Sequence, residues 1–315
     1  MMTPSKAPYL SIVLTGRNDN FGGDFNDRLF SALRFNHRRL SDAGVWYQLV
    51  FVEWRPIAAK PLLGDLLRDE VPEIDGCLTT YEVDERYHAA FSQDPRLQFH
   101  EFIAKNVGIR RATGSYLLTT NTDIYFSREV VAFFAQRTLR PMVLYRATRV
   151  DLKSGLDRSR LDDRMLKDPR NHLEVNSLKP PTYSNSAGDF LLLDRFSWHA
   201  IRGFNEVYRV AKLHIDANFC HQALVSGVLV MDSAASVYHL GEGTFQAHRS
   251  QCGPEEKHPS WAAQWHKPVL YENHANWGLG GAPMSQRSRS DFRIEFDDAV
   301  VPPLVSLRGI TVPQQ

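Results

Sequence analysis

Short apolar runs alternate with amphipathic stretches along most of this chain. Residues 9–15 (YLSIVLT) are rich in β-formers and lack a helical period, which predicts a central strand. A polar loop with three glycines follows, from Gly16 to Asp24. Then Phe25, Leu29, Leu33, Asn36 and Leu40 recur about one turn apart, predicting a helix with Asp24 as N-cap and Gly44 at its end. Residues 47–54 predict a second buried strand that finishes on Glu53 beside an aromatic ring. Pro56 and Pro61 then break the chain. A helix over 61–70 and a third strand over 77–83 come next, and 84–97 reads as irregular.

The richest stretch is 105–126. Residues 105–114 predict a helix closed by glycine, and within 116–126 (YLLTTNTDIYF) a β-rich run climbs through apolar residues to an acidic tip at Asn121 and Asp123, or ends there in an ordinary Asn/Asp turn. Asn121 and Asp123 stand two positions apart in it. In extended chain such residues share a face, so amide and carboxylate are expected to point at one ligand. That ligand would lie at the carboxyl edge of the sheet, where open α/β sheets bind small molecules.

The alternation continues with a helix over 128–136 and a strand over 142–145. Residues 146–186 carry mixed charge, two adjacent prolines and little periodicity, which suggests a loop or lid over a site or a solvated, partly helical insertion. Residues 187–194 and a helix through Trp198 precede Gly203-Phe204-Asn205-Glu206. A helix opening on Asp216, a strand over 228–231 and the segment 236–239 complete this part. The order predicts an α/β fold with a doubly wound, mostly parallel sheet. Beyond Leu240 the sequence turns irregular, so we expect a domain over 1–245 and an extension over 246–315 packed on it.

Composition narrows the function. Lys plus Arg number 37 against 36 Asp plus Glu, too balanced for a sequence-independent nucleic-acid binder. Cys77, Cys220 and Cys252 form no CxxC and suggest a reducing compartment. His239, His248, His258, His266 and His274 are scattered without HxxxH or HExxH pairing, so no dedicated zinc site is expected. No signal peptide and no membrane-spanning run are visible, which predicts a cytoplasmic protein and leaves peripheral membrane contact open.

Taken in order, several short motifs resemble the GT-A fold glycosyltransferases, especially the inverting family 2 type. They are Arg17-Asn18-Asp19 after the first strand, Glu53 after the second, and Lys105-Asn106 with Ala112-Thr113-Gly114-Ser115-Tyr116. Asn121-Thr122-Asp123, Gly188, Gly203-Phe204-Asn205-Glu206, Asp216 and His239 follow. The resemblance spans about residues 9–240, and its specificity lies in the ordered set. Three positions depart from the family's pattern. Asn121 replaces the first carboxylate of an Asp-X-Asp motif, Ile215-Asp216 keeps one acidic residue of a pair, and Asn18-Asp19 stands where Asn-Glu is usual.

The resemblance implies transfer of a sugar from a UDP- or GDP-linked donor to an acceptor hydroxyl, with inversion. Thr15, Gly16, Arg17, Asn18, Asp19, Glu53, Lys105, Asn106, Asn121 and Thr122 would hold the nucleotide sugar. Asp123 and His239 would bind Mn²⁺ or Mg²⁺, to which an amide oxygen at Asn121 brings no charge. Asp216 would be the general base, with Glu206 and Asp189 as alternatives on the acceptor side. Two other classes remain open: a non-catalytic sugar-nucleotide or glycan-binding module, and a sugar-phosphate nucleotidyltransferase. The first loop lacks the lysine- and glycine-rich phosphate signature that the latter needs.

Overall fold

Every residue of the first strand, β1 (Leu10–Gly16), is buried, and its side chains alternate between two separate cores. Leu10, Ile12 and Leu14 face one core, whereas Val13 faces the other. A strand buried on both faces must be covered on both, and this sets the layered α/β architecture. A computed structural model describes residues 7–92, 97–207, 209, 214–240 and 270–302.

The N-terminal half follows the predicted alternation. After β1 come α1 (Phe25–Asp42), β2 (Tyr47–Trp54), α2 (Leu63–Glu70), β3 (Leu78–Val83), α3 (Glu85–Phe91) and α4 (Glu101–Arg111). The expected irregular segment therefore contains a helix, α3, capped by the Asp84 carboxylate on Arg86 N–H. Asp24, in contrast, does not cap α1 with its side chain, which is turned to Arg28 and Arg158 instead. Strands β1, β2 and β3 pair in parallel, and so do β1 and β4 (Tyr116–Thr119).

From β4 onward the sheet becomes mixed. The run 116–126 is two strands, not one: β4 stops at Thr119, the chain turns, and β5 (Ile124–Phe126) pairs elsewhere. Helix α5 (Arg128–Ala135), β6 (Val143–Leu152), α6 (Asp163–Lys167) and β7 (His172–Asn176) follow. The stretch expected as a loop or lid is thus partly sheet, with β7 antiparallel to β6. Then come β8 (Leu191–Asp194), α7 (Arg195–Ile201), α8 (Ile215–Val225) and β9 (Leu229–Leu240). Strand β9 joins both predicted pieces into one, with Ala234 at positive φ where its pairing with β6 shifts register.

The C-terminal part does more than wrap the domain. β10 (Met284–Gln286) and β11 (Asp291–Ile294) form a hairpin, and β11 adds to the free edge of β3 in parallel. Residues 277–279 pack on α4, whose Arg110 and Arg111 donate to the carbonyls of Ala275, Trp277, Gly278 and Leu279. The sheet order is β10-β11-β3-β2-β1-β4-β8-β6-β9-β5, with β7 beside β6. Helices α1, α2 and α5 cover one face, and α4, α7 and α8 the other. Among the described residues no helix is long and apolar enough to cross a membrane. Cys77 and Cys220 are free thiols, whereas Cys252, His248, His258 and His266 lie outside the described residues.

Candidate active site

The parallel register brings the tips of β1, β2 and β4 side by side. Gly16 aligns with Glu53 across β1–β2, and Val13 with Thr119 across β1–β4. Antiparallel β8 starts where β4 stops, because Leu191 aligns with Thr119. One sheet edge therefore gathers the first loop, Glu53, the 120–123 turn and the residues just before β8.

At the turn the two motif side chains part company. Extended geometry ends at Thr119, so Asn121 and Asp123 do not share a face. Asn121 reaches the β8 side, where its Nδ2 donates to Asp189 Oδ1 at 2.8 Å and its Oδ1 accepts from Lys105 Nζ at 2.8 Å. Lys105 is fully buried and also reaches Glu101 (2.8 Å) and the Gly188 carbonyl (3.3 Å), which uses all three ammonium protons. Thr120 Oγ1 donates to the Asp189 carbonyl at 2.7 Å and holds the turn against that segment.

Asp123 turns the other way. Its Oδ2 accepts from Arg28 Nη1 at 2.6 Å and faces His239 Nε2 at 3.4 Å. His239 is brought there by β9, which aligns it with Ile124 on one side and Asp151 on the other. Its Nδ1 faces Asp151 Oδ1 at 2.8 Å. Asp151 Oδ2 accepts from Arg149 and from Asn176 Nδ2, and Arg149 Nη1 continues to Asp189 Oδ2 at 2.8 Å. An unbroken chain of contacts thus runs Lys105–Asn121–Asp189–Arg149–Asp151–His239–Asp123–Arg28.

This chain decides the protonation states. Burial alone would depress the His239 imidazole, but the Asp123 charge and the bonds to both carboxylates outweigh it and push it up to about 10. Burial likewise opposes charge on Asp123, yet His239 and then Arg28 hold its carboxyl well below the usual range. Both carboxylates therefore favour the charged form of the His239 ring.

Such a donor set does not fit a divalent ion. Mg²⁺ and Mn²⁺ need oxygen or neutral imidazole lone pairs turned to one point. Here the Asn121 oxygen meets an ammonium, Asp123 meets a guanidinium, and both His239 nitrogens face carboxylates. Among the described residues no group of three or more His, Cys, Asp or Glu could hold a metal. The expected Mn²⁺ or Mg²⁺ site at Asp123 and His239 therefore has no matching ligands in this arrangement.

Asp216 arrives at the same edge from α8. Its Oδ2 accepts from the Gly188 N–H at 2.6 Å. A Cβ at position 188 would lie 3.1 Å from that oxygen, close enough that the carboxylate would have to shift, and 3.9 Å from Asn121 Nδ2, an ordinary contact. The loop carrying Gly188 is pinned by Arg146, fully buried, which donates to the carbonyls of Tyr183, Asn185 and Ala187. Asp189 is buried, with one carboxylate oxygen accepting from Arg149 and the other from Asn121.

The first loop is tied down by its own residues. Thr15 Oγ1 donates to the Val52 carbonyl, Arg17 to the Arg55 carbonyl and to Asp19, and Asn18 Nδ2 to the Pro61 carbonyl. Gly16 is needed because a Cβ there would lie 2.8 Å from the Phe25 ring. Glu53 Oε2 accepts from Leu63 N–H and so caps α2 from the neighbouring strand, while its buried Oε1 has no hydrogen-bond partner among the described residues. Burial pushes this carboxyl up to about 7 against the pull of the Leu63 N–H, with Glu82 and Asp65 adding to the rise. Thr122 occupies the turn between Asn121 and Asp123 and is half-buried.

Asn106 and Glu206 fall into a packing joint. The Asn106 amide brackets Phe204, accepting from its N–H at 2.7 Å and donating to its carbonyl at 2.8 Å, and also donates to Glu206 Oε1. Gly278 N–H takes the same Glu206 oxygen, and Asn273 holds the Glu206 N–H. Neither residue bonds to the Asn121–Asp216 group. Sequence reasoning missed Arg28, Arg146, Arg149 and Asp151. Their available signal was charge inside otherwise apolar elements: Arg28 next to Leu29 in a buried helix face, and the others along a strand.

No protein-family model matches the sequence, and no curated protein does. Among solved structures, S. aureus TarS 1-349 shares 14% identity over 86% of this chain and 69% of that chain, with a TM-score of 0.39. This chain spans only 40% of the longer TarS structure. The catalytic domain of Drosophila beta1,4galactosyltransferase 7, in complex with xylobiose, shares 10% identity over 93% and 97%, TM-score 0.41. A putative glucose-1-phosphate thymidylyltransferase from Bacillus anthracis shares 14% over 77% and 95%, TM-score 0.37. At these identities and scores the likenesses name no relative, and function has to be argued from the site.

Proposed function

We propose that this protein transfers a glycosyl group from a nucleoside-diphosphate sugar to an acceptor hydroxyl, with inversion. The observation that carries the reading is the approach of Asp216 to the Gly188 peptide beside Asn121, at the edge shared with the first loop and Glu53. The nucleotide would lie over 15–19, where the Glu53 oxygen with no hydrogen-bond partner among the described residues suits an N–H or hydroxyl donor. Asp216 is half-buried, with Oδ2 fixed by Gly188, so its other oxygen is the one to take the acceptor proton.

In a single displacement the acceptor oxygen forms its bond to the anomeric carbon as the bond to the diphosphate oxygen breaks. The hydroxyl proton passes to Asp216, and the bonding pair leaves with the nucleoside diphosphate. Incubation with UDP- and GDP-sugars, scored for nucleoside-diphosphate release, tests the reading. Pyrophosphate release from a nucleoside triphosphate and a sugar phosphate would replace it with nucleotidyl transfer.

A second reading is a non-catalytic sugar-nucleotide or glycan-binding module. It is favoured by how fully Asn121, Asp123 and Asp189 are engaged with other side chains. Sugar-nucleotide binding with no turnover in any acceptor mixture would support it.

A further inference from the structure

The poor fit between the Asp123 donor set and a divalent ion leaves open what meets the charge of a leaving diphosphate. Two buried cations flank the 120–123 turn. Lys105 stands on the Asn121 side, with its side chain 1% exposed, and Arg28 on the Asp123 side, with 7%. Arg28 is also aimed at the first loop, donating to the Phe21 carbonyl at 2.5 Å and to Asp24 at 2.8 Å.

The loop itself is shaped around that guanidinium. Gly22 has φ +79°, and a Cβ there would lie 2.6 Å from Arg28 Nη2. Gly23, at φ +90°, has open space at its Cβ position. A phosphate lying over the glycines would therefore have the Arg28 guanidinium beside it. A guanidinium matches phosphate oxygens in a forked geometry, and such charge-assisted bonds are among the stronger ones.

We propose that Arg28, backed at longer range by the buried Lys105 charge, meets the charge of the donor's diphosphate in place of a divalent cation, so that nucleotide binding requires no Mn²⁺ or Mg²⁺. This rests on the glycosyl-transfer reading, and it departs from what the sequence resemblance implies. On binding, Arg28 exchanges part of its contact with Asp123 for phosphate oxygens, while Asp123 keeps His239 as its partner.

The test is calorimetry on the full chain with UDP, GDP and the matching monophosphates, in EDTA and in Mn²⁺. The expected result is a diphosphate affinity that differs by less than about threefold between the two conditions. Arg28→Gln should weaken diphosphate binding about tenfold or more in both, and change monophosphate binding less than threefold. Arg28→Lys should recover part of the loss, and the wild-type comparison needs no variant to fold. Wild-type affinity rising tenfold or more with Mn²⁺, Mn²⁺ bound by the free protein in a spin-resonance titration, or unchanged diphosphate affinity in Arg28→Gln would each overturn the inference. Binding seen only with Mn²⁺ sinks it alone. No diphosphate binding under any condition removes the glycosyl-transfer reading along with it.

Discussion

Arg28 donates to Asp123 at 2.6 Å although the two are 95 positions apart, one on the first helix and one in the turn after β4. The contact joins the glycine loop to the only carboxylate of the 121–123 motif. A carboxylate that reads in sequence as a free ligand is, in the fold, the centre of a cation pair formed by Arg28 and His239. The electrostatics of the site follow from that pairing more than from the motif.

Asp216→Asn removes the proposed base and retains an oxygen that accepts from the Gly188 N–H. Transfer should fall by about 10²- to 10⁴-fold, the usual worth of a positioned general base. Nucleoside-diphosphate affinity and melting temperature should stay close to wild type, because the lost interaction matters in the transition state. Near-normal turnover would take Asp216 out of the mechanism.

Asn106→Ala separates packing from nucleotide binding. It strips Phe204 N–H and Glu206 Oε1 of a partner in a buried joint, so stability should drop by about 2–4 kcal/mol. Nucleotide affinity of the folded fraction should persist. Denaturant melts alongside calorimetry decide it, and a loss of affinity without a loss of stability would return Asn106 to the nucleotide site.

Glu206 gives the fold a pH signature. Burial pushes its carboxyl up to about 7 despite the Asn106 and Gly278 bonds, from an ordinary 4.5. Between those values the folded chain binds more protons here than the unfolded one, so this contribution to stability is present at low pH and lost as pH rises through about 7. Glu206→Gln keeps an oxygen acceptor without the charge. It should match wild type near pH 4.5 and exceed it above pH 7 by up to about 3 kcal/mol, read from urea unfolding at pH 5 and 8. A variant equally destabilised at both would contradict the assignment.

Gly108 is where α4 lies closest to the sheet. A Cβ there would come within 2.5 Å of Val13 and 3.2 Å of Val52. Gly108→Ala should cost about 1–3 kcal/mol through overpacking, despite alanine's better helix propensity. Thermal unfolding measures it, and a stabilised variant would show that α4 can lift from β1 and β2 at no cost.

Local periodicity was enough to determine much of this protein. The runs at 10–16 and 47–54 had to be buried strands, because both of their faces are apolar and helices of matching pattern separate them. Gly16 and Asn121 were legible as residues at the ends of predicted strands, whereas Gly188 and Asp216 were marked only by the family resemblance and reach the same edge through the fold. What local pattern could not reach was pairing between distant segments. Thr120-Asn121-Thr122-Asp123 is compatible with a strand tip or an Asn/Asp turn, and the choice follows from β5 finding β9 instead of continuing beside β1. The same pairing places His239 between Asp123 and Asp151, and with Arg28 it turns an apparent metal motif into a set of ion pairs. Tertiary structure alone set Glu206 and Asn106 into one buried joint, because their burial and partners depend on residues 273–278, far along the chain. A side chain's type is local, but its charge state and availability belong to whatever the fold sets against it.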